Sequence, residues 1–177
     1  MSQIATKTSS TSTKALLDKA GKYLTFALGR EQYGLEILKV REIIGHMEIT
    51  AVPQTPSYVK GVINLRGQVI PVVDLRAKFG MESADVTEQT CVIVVEISQG
   101  ARAFSTGIVV DRVEEVLDIA GQDIEDAPNF GSAVDTDFIL GMGKSNGKVT
   151  ILLSIDKVLG SADVQGLTQI AGATKTE

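Results

Sequence analysis

The chain has 177 residues, 44% of them hydrophobic, with a net charge of −5, one histidine, one cysteine and no tryptophan. An acidic balance without a basic stripe disfavours nucleic acid as a partner, the lone Cys91 excludes an intramolecular disulfide and fits a reducing compartment, and no apolar run reaches the ~20 residues that cross a bilayer. A chain of this length buries about 70% of its unfolded surface, so it needs no metal to fold, and without a signal-peptide core the expectation is a soluble cytoplasmic protein.

Residues 2–13 hold eight Ser or Thr and little that is apolar. Such a segment cannot offset its ordering entropy, so 1–21 reads as a disordered tail, with a weak helical turn over 14–22. Residues 23–28 and 33–37 form a hairpin across Gly29-Arg30. Residues 36–44 place apolar side chains at 37, 40 and 44, which suits a helical turn or a bent strand equally. A short strand over 49–52 stops at Pro53, and Pro56 opens one helical turn over 56–59.

The densest signal follows, GVINLRGQVIPVVDLR over 61–76. Two nearly continuous apolar runs meet at Arg66-Gly67-Gln68 and read as two buried strands. Pro71 makes the second an edge strand or a bulged one. A short helix over 76–79 ends at Gly80. The polar stretch 85–89 marks the seam between halves. Residues 91–97 and 103–110 form another hairpin, 113–119 a strand, and 123–137 an acidic loop. Residues 138–142 and 148–153 pair across Asn146-Gly147, and Ser154 caps a short helix to 159. Residues 166–177 read as a frayed end. Many short strands with frequent turns make an all-β barrel or sandwich.

No segment carries a catalytic signature. Gly141-Met-Gly-Lys-Ser145 lacks the first glycine of a phosphate loop and precedes a β-type run rather than a helix, so it reads as a hairpin turn. His46 has no metal-ligand cluster at suitable spacing and reads as a surface histidine. Cys91 opens the run CVIVVEI and reads as an inert core thiol. The acids from Glu114 to Asp126 read as a solvated face. Arg66 stands apart: at a turn between apolar strands it is either a solvated turn residue or an anchor that forks onto a partner's carboxylates or carbonyls.

Five segments in order resemble the CheW-type adaptor family of bacterial chemotaxis: YLTFALGREQYGLEILKVREII, ITAVPQTPSYVKGVINLRG, VDLR, GIVVDRVEEVLDI and ILGMGKSNGKVTILLSIDKVL. The resemblance covers about 22–160. It implies two small five-stranded SH3-like β-barrels packed together, with short helices and strand exchange near the ends. Barrel one would span about 22–84 and barrel two about 85–155, leaving 161–177 as a flexible tail. It implies a non-enzymatic adaptor without cofactor, whose partners are chemoreceptor cytoplasmic tips and the regulatory domain of the kinase CheA. The protein would be recruited to membrane-associated arrays without inserting into the membrane. By position, the resemblance implies receptor contacts at Arg66, Val40, Glu42 and Val116, and kinase contacts at Ile37 and Ile43. An array serving surface motility or gene expression would use the same contacts.

Overall fold

The computed structural model describes residues 19–99, 101–128, 137–159 and 166–167. Expectations for the Ser/Thr-rich segment and for 129–136 lie outside them. The first strands are β1 (Gly21–Leu28) and β2 (Glu31–Glu36), joined through Gly29 at φ 62°. A 3-10 turn, Ile37–Lys39, leads into β3 (Val40–Gly45). This resolves the ambiguous 36–44 pattern: the turn takes Ile37, and extended backbone begins at Val40. The hairpin β4 (Val59–Leu65) and β5 (Gln68–Asp74) is followed by the one-turn helix α1 (Leu75–Lys78). The Asp74 side chain caps α1 by accepting from the Arg76 N–H.

The second half repeats this plan. Hairpin β6 (Cys91–Gln99) and β7 (Arg102–Val110) leads through Asp111 into β8 (Arg112–Ile119). A 3-10 turn and the two-residue β9 (Ile124–Glu125) follow, then hairpin β10 (Ile139–Ser145) and β11 (Lys148–Leu153), and helix α2 (Ile155–Val158). Ser154 precedes α2 but makes no side-chain cap hydrogen bond.

The halves exchange their first hairpins. One sheet runs β8-β1-β2-β11-β10-β9 and the other β3-β6-β7-β5-β4. Each sheet therefore takes a leading hairpin from one half and the remaining strands from the other. The junctions are parallel, β11 beside β2 and β5 beside β7. The polar stretch before β6 separates the two repeats, but neither barrel is bounded there, because β6 and β7 are hydrogen-bonded into the sheet of β3 to β5. One sheet has five strands; the other gains a sixth in β9.

Both sheets curl closed at equivalent places. In the five-stranded barrel Thr50 exchanges both backbone hydrogen bonds with Val62, at 2.9 Å each. This isolated bridge replaces the expected strand over 49–52. The close approach requires Gly61, at φ 142°, because a Cβ there would lie 2.0 Å from the Thr50 carbonyl oxygen. In the six-stranded barrel β9 closes onto β10 at Met142 and Gly143. Gly141 plays the matching part: a Cβ would lie 2.9 Å from the Glu125 carbonyl oxygen. Each glycine follows a register shift, Val59/Gly61 and Ile139/Gly141.

Pro71 sits in an interior strand, yet pairing of β5 with β7 starts only at Val72, so the strand is edge-like where the proline lies. Residues 56–58 form a turn rather than a helix, with the Val59 N–H donating to the Pro56 carbonyl. Among the described residues three apolar clusters hold the molecule. The largest joins the sheets through Leu24, Phe26 and Leu35 on one side and Val73, Ile93 and Ile108 on the other. Smaller ones fill each barrel, around Ile63, Ile70 and Val92 and around Ile119, Ile124 and Leu152. Leu167, expected in a flexible tail, is buried in the central cluster, where an apolar side chain leaves water.

Candidate functional site

The turn between β4 and β5 explains why Arg66 projects. Arg66 and Gly67 both have positive φ, 52° and 85°, as tight two-residue hairpin turns require. The Asn64 carboxamide oxygen accepts from the Gly67 N–H at 2.9 Å and fixes the turn. The Arg66 side chain is 75% exposed. Its guanidinium forks onto Glu42, with NH1 to Oε1 at 2.7 Å and NH2 to Oε2 at 2.8 Å. That pair raises the arginine pKa further, chiefly through the hydrogen bonds. Arg41, Leu65, Ile70 and Val94 line the same shallow depression, so the ion pair spans one mouth of the five-stranded barrel.

The other candidate residues occupy distinct places. Ile37, in the 3-10 turn, and Val40, opening β3, both pack partly against the central cluster. Ile43 is 43% exposed, and strand alternation puts it on the opposite face from Glu42. Val116 lies on β8 of the other barrel, 48% exposed, paired with Leu24 of β1. Arg66, Glu42, Val40 and Ile43 thus share one barrel, and Val116 stands apart on the second. Leu38 is 89% exposed, next to Ile37, and sequence reasoning passed over it. Its only sequence signal was an apolar residue beside, rather than on, the apolar spacing.

The residues set aside as non-catalytic are held in ordinary contacts. The Cys91 thiol, half-buried rather than fully buried, donates to the Gln89 carbonyl. Glu114 accepts from Gln32 and Arg112, and Glu125 pairs with Lys144. Among the described residues no group of three or more His, Cys, Asp or Glu is placed to hold a metal, and no helix is long and apolar enough to cross a membrane.

Two barrels built by exchanged hairpins, with an arginine turn across one mouth and exposed apolar side chains nearby, define a β-barrel scaffold of the protein-docking class. The chain matches the family model described as CheW-like domain over residues 22–163 and belongs to that family. It is 39% identical to Chemotaxis protein CheW of Klebsiella aerogenes, over 85% of this chain and 88% of that one. Identity to Chemotaxis protein CheW of Rhizobium meliloti is 33%, over 85% and 94%. A solved structure, the scaffolding protein TtCheW from Thermoanaerobacter tengcongensis, superposes with a TM-score of 0.72 at 34% identity, covering 81% of this chain and 95% of that one.

Proposed function

We propose that this chain is a non-enzymatic coupling protein of chemotaxis arrays, joining the cytoplasmic tips of chemoreceptors to the regulatory domain of the histidine kinase CheA. The observation that carries the reading is the family membership over nearly all of the described chain. The geometry suits the role. A receptor-facing surface would centre on Arg66 and Glu42 at the barrel mouth, with Val40 beside them and Val116 across on β8. Arginine forks of this kind recognise carboxylates and carbonyls with fixed direction. A kinase-facing surface would centre on Ile37 and Ile43, extended by the exposed Leu38, with apolar side chains supplying the burial.

Coupling of this kind makes and breaks no covalent bond. Holding receptor and kinase on one rigid body raises the effective concentration of each for the other. Receptor states then bias how the kinase domains are held, which is a population shift. The protein would reach the membrane through its receptors, without inserting. The test is CheA autophosphorylation in vitro with receptor-containing membranes, with and without this chain. A rise that needs all three components is expected. No rise with folded protein would overturn the chemotaxis-specific reading.

A further inference from the structure

The exchange of hairpins poses a pairing problem. The β1–β2 hairpin joins β8, β10 and β11, while the β6–β7 hairpin takes the equivalent place against β3, β4 and β5. Within one chain the short crossover settles the choice. Asp111 alone links β7 to β8. If β8 lay in the barrel of β7 it would sit two strand places away, roughly 10 Å, beyond the ~7 Å that one intervening residue spans. Between two copies no such tether exists. The β6–β7 hairpin of one molecule has the shape to enter the β8, β10 and β11 site of another, and the β1–β2 hairpin to enter a β3, β4 and β5 site.

Two ion pairs stand at equivalent places, where each parallel junction ends. In the five-stranded barrel Arg76 of α1 donates to Asp111 from Nε at 2.7 Å and also from NH2. The same carboxylate accepts from the Gly29 N–H at 2.7 Å, tying in the tip of the β1–β2 hairpin. In the six-stranded barrel Asp156 of α2 receives Lys39, from the β2–β3 crossover, at 2.8 Å. It also accepts from the Ser98 N–H of β6 at 2.9 Å. All four charged side chains are no more than 31% exposed.

The two clasps match in position and are opposite in sign. In the first, the helix supplies the cation and the crossover the anion. In the second, the helix supplies the anion and the crossover the cation. A wrong pairing between copies would therefore set Arg76 against Lys39, or Asp156 against Asp111. Like charges at half-buried sites repel strongly.

We propose that the opposed polarity of these clasps prevents copies of this chain from exchanging the wrong hairpins. The inference does not depend on the coupling role. Lys39→Asp with Asp156→Lys keeps both native ion pairs attractive, at the loss of the Ser98 N–H acceptor, but makes the wrong pairings attractive too. Adding Arg76→Asp with Asp111→Arg again keeps the native ion pairs attractive, now also without the Gly29 N–H acceptor, and restores repulsion in the wrong ones. The three full-length proteins would be refolded from urea at several concentrations and their masses read by light scattering. The double variant should give at least about fivefold more dimer and larger species than the parent, as expected for 1 kcal/mol of lost discrimination, rising with concentration. The quadruple variant should return to the parental level. A double variant as monomeric as the parent, or a quadruple variant as oligomeric as the double, would overturn the proposal. So would failure of both to fold, since the clasps would then depend on residue identity rather than polarity.

Discussion

Arg66 and Glu42 face each other across the mouth of the five-stranded barrel, guanidinium to carboxylate at 2.7 and 2.8 Å. A carboxylate on a partner has to share that guanidinium or displace Glu42 from it. The exposed pair stabilises the fold little, so removing the cation should show in binding and not in folding. Alanine would confound the test, because position 66 has positive φ. Asparagine suits that conformation, and Asn146 holds the matching place in the β10–β11 turn at φ 53°. Arg66→Asn should leave the melting temperature unchanged and weaken receptor binding about tenfold or more, the order expected when a charged anchor is lost. Binding to CheA should stay as it was. Titrating both partners onto the variant separates the cases, and equal losses would sink the residue's receptor role.

The closing glycines differ sharply from the turn glycines. Gly61→Ala drives a Cβ into the Thr50 backbone, which cannot yield without opening the barrel. It should cost about 3 kcal/mol or more. Gly141→Ala should cost somewhat less, because its nearest approaches, 2.8 Å to Ile124 Cγ2 and 2.9 Å to the Glu125 carbonyl oxygen, are less severe than the 2.0 Å at Gly61 and its φ is not positive. Gly67→Ala meets open space and bears only the cost of its positive φ, about 1 kcal/mol. Urea denaturation of the three variants should rank them in that order.

Two buried threonines should respond to valine in opposite directions. Thr25 lies at the β1–β8 bulge, where its hydroxyl donates to the Glu115 carbonyl at 2.6 Å and accepts from the Glu115 N–H at 3.0 Å. Thr25→Val strands both backbone groups and should cost about 1–3 kcal/mol. The Thr106 hydroxyl is buried with no hydrogen-bond partner among the described residues. Thr106→Val removes an unsatisfied polar atom and should be neutral or stabilising by up to about 1 kcal/mol. A destabilised Thr106→Val protein would mean that the hydroxyl has a partner.

Acid should loosen the first clasp. The Arg76 guanidinium, and less so the Gly29 N–H, hold the Asp111 carboxyl below the usual carboxylate range, against the opposing effect of burial. A depressed carboxyl pKa stabilises the fold above its unfolded value, about 3.9, and that contribution vanishes as pH falls through the folded value. Melting temperature should therefore drop below about pH 4 more steeply for the parent than for Asp111→Asn. Parallel slopes would show that Asp111 contributes no acid sensitivity.

What the residues themselves disclosed was local; strand exchange between barrels was implied only by the family resemblance. The turns at Gly29, Arg66-Gly67 and Asn146-Gly147 follow from residues that tolerate positive φ, and the hairpins around them came out as expected. The exchange of hairpins between halves is non-local. A parallel junction such as Val72 beside Gly107 leaves no mark in either segment. The repeat relating β4–β5–α1 to β10–β11–α2 is carried by backbone shape and a few glycines, not by side-chain identity. At the site, the prominence of Arg66 was legible from its turn. Its bond to Glu42, across 24 residues, was not, because pairing strengths say nothing about which carboxylate a fold brings near.

The exchange also fixes an order of events during synthesis. The β1–β2 hairpin is the first of the described strands to leave the ribosome, yet its barrel partners begin only at Arg112 and end at Leu153. Until then it has no strand to pair with at either edge. The five-stranded barrel needs only residues 40–110, so it can close earlier and give the waiting hairpin a surface through Phe26 and Leu35. With so many contacts between distant segments, folding should be slow for a chain of this size. The last hairpin made is the one that finally closes a barrel around the first.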